Sequence, residues 1–308
     1  MSESWLITGS HGCIGAWAAR ILVREEATVT AFDIAADRHR LELVMEPDEL
    51  ERIRFVRGDV TELETVERVL DDAAVTHVLH LAAMLIPLAR EDPVRSAHVN
   101  VVGTVNVLEA VRRRELVRGL AYASSAAVFS HEDGVRVPEG VVGHPVTQYG
   151  VHKQANEGAA RVYWLDHRLP SVGLRPYTVY GPGRDTGVTA DPTLAMAAAA
   201  SGRPFRMKFG GRMQLQYAPD AARAFIDAAR RCEQGEGALV GNLGGPPVHM
   251  AEVVAAIESA VPEAAGTISF DEAPLAFPEE FEARVHPAPV TPLEQGVRET
   301  IELLRSRQ

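Results

Sequence analysis

Tyr149 and Lys153 stand four residues apart in Tyr149-Gly150-Val151-His152-Lys153, which places both side chains on one face of a helix. A phenol titrates at about 10 and is a poor base at neutral pH, but a neighbouring ammonium favours the phenolate. Upstream, the apolar run through Tyr122 and Ala123 ends in Ser124 and Ser125. A hydroxyl at the carboxyl edge of a parallel sheet can bind the oxygen of an alcohol or ketone. Near the start, Thr8-Gly9-Ser10-His11-Gly12-Cys13-Ile14-Gly15 follows a short apolar run. There Gly9 permits a tight strand-to-helix turn, Gly12 lets backbone approach a pyrophosphate, and Gly15 allows close helix packing. The helix N-terminus then offers free N–H groups to phosphate. Together the segments describe a site for hydride transfer.

Asp33 closes the second strand, where a carboxylate accepts hydrogen bonds from an adenosine ribose and opposes a 2′-phosphate. Arg38 and Arg40 could serve such a phosphate, but they lie beyond Asp33 in what reads as a surface helix. NAD is therefore expected over NADP. Met84, Leu85 and Ile86 read either as an apolar wall of the substrate pocket or as plain core. Arg184-Asp185 reads either as a reach toward a polar substrate or as a surface pair.

These residues need elements to hold them. Trp5–Thr8, Ala27–Phe32, Ile53–Val56, Thr76–Leu81, Gly119–Ala123 and Ser171–Leu174 read as strands. Helical spacing runs from Ile14 to Arg24 and near 62–73 and 94–114. This alternation predicts an α/β chain, a Rossmann-type doubly wound parallel sheet. After Arg175 the rhythm breaks into Gly181-Pro182-Gly183, an alanine-rich helix at Ala195–Ala200 and an extended stretch from Met207 to Tyr217. A helix follows at Asp220–Arg231, then a returning strand at Ala238–Leu243 and a last helix near 292–305. The expected division is a dinucleotide-binding domain over 1–175, with 218–248 returning to it. A smaller C-terminal substrate-binding lobe is expected from 176–217 and 249–308.

The chain has 308 residues, 46% of them apolar, and a net charge of −11. That size suits one large domain with an appended lobe, and the charge disfavours nucleic acid and anionic membranes. The longest apolar stretch, Val78 to Leu88, is too short to span a bilayer. The N-terminus shows no leader pattern. The two cysteines, Cys13 and Cys232, lack metal-ligand spacing. A reduced, cytoplasmic protein is expected. Eleven histidines make no recognisable ligand set; His77 and His80 fall on opposite strand faces and read as structural, so no metal is expected. The dipole of the first helix could lower the pKa of Cys13, though packing under a cofactor explains it better.

With these motifs the chain closely resembles the extended short-chain dehydrogenase/reductase family, the NAD-dependent epimerase/dehydratase group. The match continues through Gly58-Asp59-Val60, His80-Leu81-Ala82-Ala83, Asn100-Val101-Val102-Gly103-Thr104, Arg175-Pro176, Val179-Tyr180-Gly181-Pro182 and Asp220-Ala221-Ala222-Arg223-Ala224. The resemblance implies that Tyr149 is the general acid or base, that Lys153 bonds the nicotinamide ribose, and that Ser125 bonds the reacting oxygen. It implies that Asp59 and Val60 border the adenine and that Leu81, Ala82 and Ala83 line the cofactor. Pro176 joins the cofactor-binding set, and Asn100 supports it from its helix. Substrate contacts would fall on Met84, Ser125, Ala126, Tyr149 and Thr178. A homodimer packing the helix at 98–114 and the helix starting at Tyr149 is implied as well.

Departures from the family pattern narrow the chemistry. Dehydratases follow the hydroxyl residue with Asp-Glu; this chain has Ala126-Ala127, which move no proton. Nucleotide-sugar enzymes usually carry Asn where Thr178 stands. They also place an Arg on a late strand against the diphosphate, where this chain has Met213 to Tyr217, with Arg212 facing the other way if the strand is regular. Three readings follow. One is an NAD-dependent dehydrogenase acting on a secondary alcohol or ketone of a sugar-like or sugar-acid substrate. The second is a nucleotide-sugar epimerase of the 4-epimerase type with tightly held NAD, and the third a non-catalytic dinucleotide sensor.

Overall fold

The computed structural model describes residues 3–233, 235, 237–283 and 289–307. Met1, Ser2 and part of the Pro- and Glu-rich stretch of 273–292 lie outside the described residues. In chain order the first half runs β1 (Ser4–Thr8), α1 (Cys13–Arg24), β2 (Thr28–Asp33), α2 (His39–Val44), α3 (Pro47–Glu51), β3 (Ile53–Arg57), α4 (Leu63–Asp72), β4 (His77–His80), α5 (Ile86–Glu91), α6 (Pro93–Ala97), a π-helical turn (His98–Val102), α7 (Gly103–Arg112) and β5 (Gly119–Ala123). A 3₁₀ turn (Ala126–Val128) precedes β6 (Arg136–Val137) and the long α8 (Gln148–His167). Then follow β7 (Ser171–Arg175), β8 (Thr178–Tyr180), α9 (Asp191–Ala200), β9 (Phe205–Met207), β10 (Arg212–Tyr217), α10 (Ala218–Cys232) and β11 (Ala238–Asn242). The chain ends with β12 (Pro247–His249), α11 (Met250–Ala260), β13 (Ile268–Phe270), β14 (Glu280–Phe281) and α12 (Leu293–Ser306).

Seven strands form one parallel sheet in the order β11-β7-β5-β4-β1-β2-β3. Its central strands are buried along their whole length, as a sheet covered by helices on both faces requires. Alternation along β1 shows the two faces. Trp5 and Ile7 pack with α1 and α10, whereas Leu6 packs with α4 and α7. The apolar face of α10 is Ala221, Ala222, Phe225, Ile226 and Ala229, mostly small side chains that let the helix lie close over the sheet. From β1 the chain runs outward through β2 and β3, then crosses to β4 on the other side. The carboxyl ends of β1 and β4 therefore form the crevice where open α/β sheets bind ligands.

The helix expected over 94–114 is found as one helical run, α6, the π-helical turn and α7, from Pro93 to Arg112. Asp92 caps α6 by accepting from the Arg95 N–H at 2.9 Å, and the π-helical turn interrupts the regular ladder. The carbonyl of Asn100 in that turn accepts from Thr104 Oγ1 at 2.7 Å and from Asn156 Nδ2 at 2.9 Å. Such π insertions gather at functional sites, and this one lies behind the crevice. Among the described residues no helix is long and apolar enough to cross a membrane.

Beyond β7 a second core gathers Tyr177, Met196, Met213, Phe277, Phe281 and Ile301. Here β10 pairs with β8 in parallel and with β12 antiparallel, β13 pairs with β9, and β14 reaches back to β6. Two buried glutamines tie it together. Gln214 donates to the carbonyls of Gly245 and Phe281 and accepts from the Phe281 N–H at 2.9 Å. Gln216 accepts from the Tyr177 N–H at 2.7 Å and donates to the Leu243 carbonyl at 2.6 Å. Gln216→Leu would leave a backbone donor and an acceptor unpaired, at about 1–3 kcal/mol each. We predict a lower chemical-denaturation midpoint for Gln216→Leu, and a smaller loss for exposed Gln295→Leu measured alongside it.

Candidate active site

The glycine loop joins β1 to α1, and its shape depends on the absence of side chains. Gly9 has φ +69°, and a Cβ there would come within 2.6 Å of the Ala82 backbone nitrogen; one on Gly15 would meet the Gly9 carbonyl at 2.5 Å. The loop is pressed against the segment that follows β4, and α1 opens immediately after it at Cys13. The His11 N–H donates to Asp33 Oδ2 at 2.9 Å, fixing the carboxylate beside the loop. His11 Nδ1 is buried with no hydrogen-bond partner among the described residues. A backbone cradle, a helix N-terminus and a fixed carboxylate fit a dinucleotide: the loop N–H groups would hold its pyrophosphate and Asp33 its adenosine ribose.

A cavity of about 530 Å³ runs from this loop to the first turns of α8. His11, Gly9, Gly12, Cys13, Ile14 and Gly15 line it at one end with Asp33, Asp59 and Val60. Leu81, Ala82, Ala83 and Met84 form its middle, and Ser125, Ala126, Tyr149, Lys153 and Pro176 the far end. Two of the expected residues stand elsewhere. Asn100 does not line the cavity; its side chain accepts from the Met84 N–H at 2.7 Å and donates to the Met84 carbonyl at 3.0 Å, so it positions that wall from behind. Thr178 is also away from the cavity, fully buried on β8 with its hydroxyl on Met213 Sδ at 3.7 Å. Arg212 is exposed and donates to the Pro247 carbonyl, while Met213 is buried.

The buried histidine behind the crevice has a structural task. The Thr104 hydroxyl already donates to Asn100, so it accepts from His80 Nε2 at 3.0 Å, leaving Nδ1 to accept from Thr8 Oγ1 at 2.7 Å. Burial holds His80 neutral, its pKa brought down to about 3. The neutral ring links the ends of β1 and β4 to α7.

Tyr149 and Ser125 meet because α8 approaches the 3₁₀ turn closely: a Cβ on Gly150 would strike the Ala127 carbonyl oxygen. Thr147 caps the helix by accepting from the Gly150 N–H at 3.0 Å, and Ser125 Oγ accepts from the Ala127 N–H at 3.1 Å. Burial raises the Tyr149 phenol above its ordinary value, opposed by the Ser125 hydroxyl and the charge of Arg184. This reverses the expectation from spacing alone, that Lys153 would pull the phenol down. Lys153 lies with Nζ 5.5 Å from the Tyr149 ring centroid and donates to the Ala123 carbonyl at 2.6 Å. Burial lowers its own pKa to about 8, against the pull of Glu157.

Glu157, one turn beyond Lys153, went unnoticed in the sequence, although its i+4 spacing was the signal. It accepts from Ser124 Oγ at 2.5 Å and from both Nε and Nη2 of Arg175 at 2.7 Å. The loop after β8 also contributes more than its sequence showed. Arg184 lines the cavity and donates to Thr189 Oγ1 at 3.0 Å, with its Nε buried and unpaired. Asp185 turns away to Arg40 and His39. Cys13 rests under this loop, its Sγ 3.7 Å from the Pro182 carbonyl, and burial pushes the thiol up to about 12 rather than down.

Two outcomes test this geometry. Gly15→Ala should weaken NAD binding at least tenfold while the circular dichroism of the protein is retained, because the added methyl must displace the loop. Lys153 and Lys208 are the two lysines of the chain. In a ¹³Cε-lysine NMR titration of the free protein, the signal lost in Lys153→Met should titrate near 8: the ammonium keeps its charge below that pH and loses it above.

The chain matches the NAD dependent epimerase/dehydratase family over residues 5–244. It is 32% identical over 184 residues to UDP-glucuronate 4-epimerase 2 of Arabidopsis thaliana, covering 58% of this chain and 42% of that protein. The chain thus spans about two fifths of the length of the curated relatives it matches first. The UDP-glucose 4-epimerase of Thermus thermophilus, solved in complex with NAD, is 26% identical, with 99% of this chain and 100% of that chain covered and a TM-score of 0.75. The L-threonine dehydrogenase of Clostridium difficile superposes with a TM-score of 0.84 at 21% identity, covering 99% of this chain and 98% of that one, a likeness of fold. With 240 of its residues inside the family match, the chain belongs to the NAD dependent epimerase/dehydratase family.

Proposed function

We propose that this NAD-dependent enzyme moves a hydride at a secondary alcohol or ketone of a sugar-acid-like substrate, using Ser125, Tyr149 and Lys153. The observation that carries the reading is the meeting of these three side chains at one end of a single cavity that begins at the glycine loop. NAD, when bound, supplies the hydride acceptor. Ser125 orients the substrate hydroxyl, Tyr149 takes its proton, and Lys153 holds the nicotinamide ribose while its charge favours the phenolate. The buried phenol is poised against ionisation, so a second positive charge beside it has a purpose. Residues 1–175 with 218–248 would hold the dinucleotide, and the lobe of 176–217 and 249–308 the rest of the substrate.

Arg184 supports an anionic substrate group. It lines the same cavity, its charge reaches Tyr149, and among the described residues no carboxylate pairs with it. In a chain of net charge −11 an unpaired cation at the reacting end suits a carboxylate. A second reading, a nucleotide-sugar 4-epimerase that returns the hydride to the other face, is favoured by the Arabidopsis relative. Incubation with NAD and either D-glucuronate or UDP-glucuronate separates the two. Steady release of NADH supports the dehydrogenase; inversion at C4 with no net absorbance change supports the epimerase.

The side of α8 away from the cavity exposes Val151, Ala155, Gly158, Val162 and Leu165, an apolar stripe at helical spacing. With exposed Val102 it fits a second copy of the chain. Val162→Glu should shift the protein from dimer to monomer in light scattering; a wild-type monomer would remove this surface from the account.

Tyr149→Phe should lower turnover by about a hundred- to ten-thousandfold while NAD still binds. Ser125→Ala should slow turnover with less effect on NAD affinity, and Lys153→Met should weaken both. No 4-keto-6-deoxy product should form from nucleotide sugars, since Ala126 and Ala127 line the place where elimination needs an acid and a base.

A further inference from the structure

Near the place assigned to the adenosine ribose, the guanidinium of Arg40 is already engaged. It lines the same end of the cavity as Asp33, and its Nη1 donates at 3.1 Å to the carbonyl of His11, the residue whose N–H Asp33 holds. The other edge of the guanidinium faces Asp185, from the loop after β8. Nε lies 2.9 Å and 3.1 Å from the two carboxylate oxygens, and Nη2 lies 2.6 Å from Oδ1. His39 Nε2 reaches the same carboxylate at 2.7 Å, and its Nδ1 pairs with Asp37. Arg38 is stacked over the Phe55 ring at 3.7 Å from its centroid and does not line the cavity.

We propose that Asp185 is a specificity-determining residue for the dinucleotide: by occupying the planar fork of Arg40, it denies a 2′-phosphate its cation. Asp33 and Asp185 then act on the same phosphate from two sides. Asp33 repels it directly, and Asp185 holds the Arg40 guanidinium in a paired geometry that a phosphate would otherwise use. Removing either carboxylate alone leaves the other barrier standing, so their effects on NADP binding are coupled. The proposal rests on the assignment of this cavity to a dinucleotide.

The test is a titration of NAD and of NADP into the full chain, followed by calorimetry, for Asp33→Ala, Asp185→Ala, their double variant, and the double variant carrying Arg40→Gln. Asp33 itself holds the ribose in this account, so NAD affinity in Asp185→Ala reports whether the site is intact, and the ratio of NADP to NAD affinity is the readout. The double variant should raise that ratio by about ten- to a hundredfold beyond the product of the single effects, as a freed charge-assisted pair to phosphate implies. Arg40→Gln should abolish the gain. A double variant no better than Asp33→Ala, or a gain that survives Arg40→Gln, overturns the proposal. So does an equal loss of both dinucleotides in Asp185→Ala with no gain in the double variant, which makes Asp185 a tie for the loop alone. Wild-type protein that binds neither dinucleotide removes the assignment beneath it and the proposal together.

Discussion

A single buried ammonium organises the reacting end of this protein. Lys153 is 2% exposed, and a charge in such a place is costly unless paired and hydrogen-bonded. It donates to the Ala123 carbonyl at the end of β5, and the charge of Glu157, one turn along α8, acts on it from the same helix. Glu157 in turn is held by Ser124 and by Arg175 at the end of β7. Arg175 lies over the Phe129 ring at 4.9 Å. Two strands, a helix and the start of the second core thus share one charge network. The close contact of Gly150 with the 3₁₀ turn sets Tyr149 beside Ser125 in the same stroke.

Much of the sheet was legible because its strands are short apolar runs punctuated by glycine and aspartate, with helical spacing between them. β5 was expected at Gly119–Ala123 and is found there. The helix over 94–114 was legible, but periodicity does not report the π-helical turn within it, where the Asn100 carbonyl accepts from two side chains. The short elements α5, β8 and β12 were missed because a helix of six residues and strands of three carry too little period to read. Thr178 was expected at the substrate because its family position is a contact; here β8 buries it against Met213. The Tyr149 phenol went in the opposite direction from the one its neighbour suggested, since spacing on a helix says nothing about burial. One strong signal was in plain sight: a chain with 31 basic residues places one of only two lysines four residues after that tyrosine.

Arg184 and Asp185 are adjacent in sequence and part company in space, one turned into the cavity and the other toward α2. That divergence links the two ends of the site through one loop. Trp17 Nε1 anchors the loop by donating to the Pro182 carbonyl at 2.9 Å, within the buried face of α1. No pattern in sequence pairs residue 40 with residue 185, because the contact depends on the fold bringing α2 and the loop after β8 together. The lobe beyond β7 adds buried glutamines on backbone groups to its apolar core, and its short strands show no clear alternation. Its role was therefore less readable than its packing.

The account turns on a phenol that burial keeps protonated in the free protein and that the positive charge of oxidised NAD, with Lys153, brings toward ionisation. Ultraviolet difference titration of tyrosinate absorbance, wild type minus Tyr149→Phe, isolates this group among the six tyrosines. Measured with and without saturating NAD, the difference should show Tyr149 ionising above the ordinary tyrosine range in the free protein and at lower pH with NAD bound. A Tyr149 transition unmoved by NAD, or one moved upward, would contradict the account.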